Sequence, residues 1–507
     1  MPVPDVLDTD ATVLAARIAA REVSCVDVMT AHLGHVDRLA PAVTALVGRR
    51  DPDDCLADAR AADDDLAHGR HRGFLHGMPL AVKDLAEARG LPWTAGSPAF
   101  ADRVGVVDAV HVARMRAAGG IVVAKTTTPE LGYGSQTYNP LHGVTVNPYD
   151  PGRTVGGSSG GAAAALALRM LPVADGSDYM GSLRNPAAFA NVLGLRPARG
   201  RVPPPGFVAH PAEVGPMGRS VADVAALLAV LAGPDPASPL GRTDPPPDPR
   251  PPFGLGRDGT DLRGVRVGWL GDLGGRLPFE PGVLDVCRGA ADTLADLGAE
   301  VVDVVPRFDL DALWEAFLVT RGLSALALRP LLRDPATRER LKPEVVWEVE
   351  RGLALTAADV ADAEAVRTAW TDAALGLLRE HDALLAPSAQ VFPFPHTQAW
   401  PREVGGRAMD TYHRWMEVVA PWSLTGFPVL GMPAGVDARG LPMGVQLIGG
   451  PGAERRLLDL AATYEAATRW VARVRPPLLA PRSSAPTYQS ANASTDASTT
   501  GESGPGR

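Results

Sequence analysis

The 507 residues, 46% hydrophobic and 21% charged, make an ordinary folded composition, long enough for a large α/β enzyme of one or two lobes. A formal net charge of −9 with no basic cluster leaves no field to attract phosphate backbones, so a nucleic-acid partner is not expected. Three cysteines, Cys25, Cys55 and Cys287, lack CxxC spacing; they indicate neither a disulfide framework nor a zinc site and suit a reducing cytoplasm.

The opening MPVPDVLDTDATVL is acidic where a signal peptide needs basic residues, and no apolar run approaches the roughly 18 residues of a spanning helix. Residues 9–39 predict two amphipathic helices, the first capped by Thr9, with Val13, Leu14, Ile18 and Val23 at helical spacing. A short buried strand follows at Met78–Val82, then a helix and a β-branched strand through 108–124. From Tyr133 to Gly161 the chain is too rich in Gly, Ser, Thr, Asn and Pro for regular structure, and it empties into AAAALALRM, a strong helix former. Asn185 and Pro186 suit the cap and first position of another helix. The proline-rich stretch 233–252 predicts a surface connection, and 264–305 resumes a strand, helix, strand pattern. The segment 481–507 lacks the apolar area to order itself and is expected to be a disordered tail.

Only three lysines occur, at 83, 125 and 342. Lys83 ends the apolar run GMPLAV; burial there depresses its pKa toward the neutral amine a general base needs, while an ion pair with Asp84 is the plainer alternative. The loop Gly156-Gly157-Ser158-Ser159-Gly160-Gly161 offers hydroxyls on permissive backbone, as an active-site loop or as a mere linker. It also matches GxSxG at Ser159, but no strand precedes it as a nucleophile elbow requires. A second Gly/Ser loop, Asp175 to Ser182, precedes a helix N-terminus, either as an oxyanion-binding turn or as a simple capping turn. No histidine pair has metal-ligand spacing, and GxxxxGK[ST] is absent, so no metal or cofactor is expected.

Five segments in order, GMPLAVKDLAEARGLPWTAGSP, AKTTTPELGYGSQTYNPLHGVTVNPYDPGRTVGGSSGG, GSDYMGSLRNPAAFANVLGLRPARGRVP, GPMGRSVADVAALLAVLAGPDP and GFPVLGMPAGVDARGLPMGVQLIG, resemble the amidase signature family. The resemblance implies an α/β fold, α/β/α around a large twisted mixed sheet, over residues 1–480, with a core at about 70–235 and a variable substrate region at about 253–420. It further implies a Ser-Ser-Lys triad of Lys83, Ser158 and Ser182, with Ser158 on a cis peptide and Ser182 as nucleophile, spaced by 75 and 24 residues. The backbone N–H groups of Tyr179, Met180, Gly181 and Ser182 would form the oxyanion hole, and Tyr133, Gly134 and Tyr138 would line the substrate site. Met180 stands where the family usually has glycine, which bears on the width of the acyl pocket. Trp314, Trp347, Trp370 and Trp415 are either walls of that pocket or core. The implied activity is hydrolysis of a small-molecule carboxylic amide, with ester or carbamate cleavage by the same chemistry, by a cytoplasmic protein that resembles dimeric relatives. The alternatives are one component of a tRNA-dependent amidotransferase and a catalytically silent binding protein.

Overall fold

The computed structural model describes residues 3–207, 211–251, 253–255 and 260–480; the expected disordered tail lies outside them. An eight-stranded mixed sheet runs in the order Glu300–Asp303, Arg266–Trp269, Ala383–Pro387, Pro442–Ile448, Val429–Val436, Leu193–Arg196, Glu213–Gly218, Ala174–Asp178. Its first three strands are parallel and the remaining pairings antiparallel. The parallel pair at 266–269 and 300–303 is joined through the helix Val283–Asp296, as the strand, helix, strand pattern predicts. Pro79–Lys83, the strand that ends on Lys83, belongs instead to a small sheet, parallel to Ile121–Thr126, and packs beside Ala174–Asp178.

Local chemistry explains why the helices bury what they do. All eight residues of Gly160–Ala167 are buried, as befits a helix that is small and apolar on every side. The two helices expected within 9–39 form at Ala11–Ala19 and Cys25–Leu39, but Asp10, not Thr9, holds the cap position of the first, while Ser24 caps the second by accepting from Asp27 N. The helix after Ser182 begins at Arg184 with Leu183 at its cap position, so Asn185 and Pro186 sit inside its first turn. That earlier start draws Arg184 into the interior, with consequences below. No helix of the described residues is long and apolar enough to cross a membrane.

Two large apolar clusters fill the molecule. One surrounds the eight-stranded sheet and holds Trp314, Trp370, Trp415 and Met180; the other gathers the N-terminal helices, Pro79–Lys83 and Leu183. Residues 180–183 therefore contribute a side chain to each core, which places the Ser182 turn at the seam between them. Trp370 is fully buried, its Nε1 donating to Pro421 O at 2.8 Å, and Trp415 stacks on Phe189 and meets Phe394 edge-on. These two tryptophans are core, whereas Trp347 is only partly buried. Replacing Trp370 by Ala removes the ring and orphans the Pro421 carbonyl; urea unfolding is expected to show a loss of about 3–5 kcal/mol.

Candidate active site

Lys83, Ser158 and their surroundings come together where the small sheet meets the large one. The Lys83 backbone N–H donates to Asp175 Oδ1 at 3.1 Å, tying the end of its strand to the strand Ala174–Asp178. Its ammonium is 1% exposed and touches hydroxyls and one carbonyl: Nζ lies 2.8 Å from Ser158 Oγ, 2.8 Å from Ser159 Oγ and 3.1 Å from Ser177 Oγ, with Ser177 O at 3.4 Å. Burial in this carboxylate-free cage pulls its pKa down to about 7, against the opposing pull of Asp175 and Asp178. Asp84 is not its partner: that carboxylate accepts from Thr94 and Gly96 and lies 3.6 Å from Lys125 Nζ.

The Gly/Ser loop is held rather than flexible. The peptide bond Gly157–Ser158 is cis. The Gly156 carbonyl accepts from Thr137 Oγ1 at 2.8 Å, and the Gly157 carbonyl from Ser135 Oγ at 2.8 Å. Ser158 is 3% exposed; Ser159 is sealed off from solvent, between Lys83 Nζ and Ser177, so the GxSxG serine faces the interior. Ser159 N donates to Ser182 O at 3.2 Å, which brings the third serine against the Ser158–Ser159 turn. Ser182 is half-buried, and its hydroxyl makes no hydrogen bond among the described residues.

Asp178 organises the turn that carries Ser182. Its Oδ1 accepts from Gly181 N at 2.8 Å and Arg184 Nη2 at 2.9 Å, and its Oδ2 from Leu183 N at 3.1 Å and Arg184 Nε at 3.0 Å. Burial pushes this carboxyl up, but Arg184, with help from Arg196, overrides it and holds the group well below the usual carboxylate range. Arg184 spends its remaining donors on Gln446 Oε1 at 2.6 Å, Val419 O at 3.1 Å and Ser423 Oγ at 2.6 Å, so all five N–H groups of a fully buried guanidinium are satisfied. Gly181 turns the chain at φ +78, where a Cβ would meet Val419 Cγ2 at 2.8 Å. Because the Gly181 N–H already serves Asp178, the expected oxyanion donors narrow to Tyr179, Met180 and Ser182; the N–H groups of Met180 and Ser182 have no acceptor among the described residues. The Met180 side chain, 5% exposed, turns into the core.

The wall over this turn comes from residues far along the chain. Arg321 lies 4.2 Å from the Tyr133 ring centre and 4.6 Å from that of Tyr179. Tyr138 stacks instead under Lys342, whose Nζ donates to Tyr133 O at 3.1 Å, and Gly134 lies beside that ammonium. Tyr133, Gly134 and Tyr138 thus form one aromatic and cationic strip with Arg321 and Lys342. Asp175, Ser177, Asp178 and Arg184 are participants the sequence reading did not single out, and Ser159 entered it only as the GxSxG match; all but Arg184 lie within the two Gly/Ser loops, and Arg184 lies two residues past the second.

The model of the Amidase family matches residues 27–458. An acylamidase from Rhodococcus erythropolis is 33% identical over 467 residues, covering 91% of this chain and 95% of the relative. The A-type component of the glutamyl-tRNA(Gln) amidotransferase of Chloroflexus aurantiacus is 35% identical over 492 residues, covering 90% and 96%. Among solved structures, a bacterial aryl acylamidase of the amidase signature enzymes superposes with a TM-score of 0.83 at 25% identity, over 91% of this chain and 96% of that one.

The buried Asp178 charge is matched by two guanidinium groups, so removing it strands both. Asp178→Asn is expected to lose about 3–5 kcal/mol in urea unfolding, and a loss below about 1 kcal/mol would show that the charge is not what fixes the turn.

Proposed function

The chain belongs to the amidase family and has its fold, and on that premise we propose that it hydrolyses a carboxylic amide through an acyl-enzyme on Ser182. That it is a hydrolase of carbon–nitrogen bonds other than peptide bonds follows from the family and its amidase relatives. The observation that carries the finer reading is the Lys83 ammonium at 2.8 Å from Ser158 Oγ, without a carboxylate partner and with its pKa pulled to about 7 by burial.

Neutral Lys83 has two N–H donors and one lone pair. The Ser159 hydroxyl is placed to give its proton to Ser177 O at 3.3 Å, so Ser159 takes a lysine N–H, and Ser158 is the hydroxyl that hands its proton to the lone pair. Ser182 Oγ attacks the substrate carbonyl as its proton moves to Ser158 and the Ser158 proton moves to Lys83. The N–H groups of Tyr179, Met180 and Ser182 receive the developing oxyanion. Collapse expels the amine, which takes the proton back along the same route. Water then attacks the acyl ester by the same relay and frees Ser182. Esters and carbamates fit the same sequence of steps.

The acylamidase relative and the aryl acylamidase neighbour support a free-standing enzyme acting on small molecules; an amidase domain over 1–480, a cytoplasmic location and a homodimer complete the proposal. The 35% identity to the amidotransferase component favours a second reading, a protein that acts only within a tRNA-dependent complex. Purified alone, the first hydrolyses a chromogenic anilide; the second co-purifies with partners and releases ammonia from glutamine.

Ser182→Ala is expected to abolish anilide turnover and fluorophosphonate labelling, and Lys83→Ala to lower kcat/KM by about 10²–10⁴-fold; wild-type-like turnover in either folded variant overturns the assignment. Since the base works only when unprotonated, kcat/KM should rise about tenfold per pH unit below about 7 and level off above it.

A further inference from the structure

The helix Leu310–Ala325 lies against Tyr179, the residue that opens the Ser182 turn, and it does so with one face. Phe317 meets the Tyr179 ring edge-on at 6.3 Å, Arg321 lies over that ring, and Ser324 Oγ is 3.1 Å from the Tyr179 hydroxyl. The spacing 317, 321, 324 is that of a single helical stripe. Arg321 is the charged member of the stripe, and its guanidinium is incompletely used. Two tyrosine rings cover it, and its Nε donates to Glu348 Oε1 at 3.3 Å, a single contact rather than a fork. It also faces the Tyr412 phenol. Glu348 is itself shared: Tyr412 Oη donates to it at 2.7 Å, and His413 Nε2 stands 3.4 Å away. A guanidinium has five N–H donors, and these two neighbours take at most two of them. The side chain keeps 12% of its surface open, in contrast to Arg184, which has none open and every donor matched.

A planar cation covered by two rings, held by Glu348 and Tyr412, with donors to spare and its side chain 12% exposed beside the Ser182 turn, is suited to a planar anion with two oxygens. Building on the hydrolase reading above, we propose that Arg321 is a specificity-determining residue that binds a carboxylate on the acyl part of the substrate, so that the substrate class is the monoamide of a dicarboxylic acid. The partial exposure of Tyr179, Ser182, Arg321 and Ser324 amid buried neighbours marks the strip along which such an acyl chain would lie.

The test uses the full-length protein and the para-nitroanilides of succinic, glutaric and adipic acids, each beside the neutral methyl-ketone anilide of equal length. For at least one length the wild type should favour the acid by about tenfold or more in kcat/KM, the scale of a charge-assisted hydrogen bond. Arg321→Met should reduce that preference to about twofold or less, and Arg321→Lys should retain part of it. Should Arg321→Met misfold around the stranded Glu348, the Arg321→Met, Glu348→Gln pair removes both charges, and fluorophosphonate labelling of Ser182 reports whether the turn is intact. Equal kcat/KM for acids and ketones in the wild type, or an acid preference that survives in Arg321→Met, overturns this inference alone. Absence of both turnover and Ser182 labelling in the wild type overturns it together with the hydrolase reading.

Discussion

A lysine ammonium enclosed by hydroxyl groups, with no carboxylate in contact, is the constraint on which the rest of this molecule depends. A charge in such a cage loses its hydration and gains only dipoles in return, so the neutral amine is favoured and the pKa settles near 7 rather than at its ordinary 10.5. The unfolded chain would keep that proton up to about 10.5 and so binds more protons across the window from 7 to 10.5. The stability cost of Lys83 is therefore full below about pH 7 and relieved as the pH rises through that window.

The cage exists because a second buried group is treated in the opposite way. Asp178 keeps its charge in the interior, matched by Arg184 in a two-point contact and approached by Arg196 at 3.8 Å. A buried ion pair adds little net stability over an apolar core, but breaking one side of it is severe, so it imposes one geometry on whatever it touches. What it touches is the backbone of Gly181 and Leu183 on one side and Val419, Ser423 and Gln446 on the other. The Ser182 turn is thus fixed by residues more than two hundred positions downstream, and the seam between the two apolar cores is closed at that point.

This explains which parts of the molecule could be read from the chain. The strand ending on Lys83, the glycine-flanked serines and the helix after them are local features, and they appear in the structure within a residue or two of where sequence placed them. The helix starts at Arg184 with Leu183 at its cap, rather than at Pro186 with Asn185 capping, because an arginine with five interior acceptors outweighs the capping preference of an asparagine. Asp84 looked like the natural partner of Lys83 because it is adjacent, yet it lies in the turn just past the strand, and its carboxylate turns to Thr94 and Gly96. The placing of Arg321 over the Tyr133 and Tyr179 rings, and the shared use of Glu348 by Arg321, Tyr412 and His413, are tertiary facts with no local pattern to announce them.

The two halves of the structure accordingly carry different kinds of information. Residues between Lys83 and Arg196 place the hydroxyls, the amine and the turn, and their tolerance is small because the donors that hold the turn each have an assigned acceptor. The helix Leu310–Ala325 meets that machinery at the Tyr179 side chain, with Phe317 edge-on, Arg321 over the ring and Ser324 at the hydroxyl, and the helix Pro343–Ala354 is tied to it in turn by Glu348 against Arg321. Contacts of that kind change partners without disturbing the buried Asp178 network, because they touch Tyr179 by its side chain and leave its backbone where Asp178 sets the turn. A wall of this construction can be altered while the buried contacts of Lys83, Ser158 and Asp178 stay as they are, because Phe317, Arg321 and Ser324 reach the turn through the Tyr179 side chain.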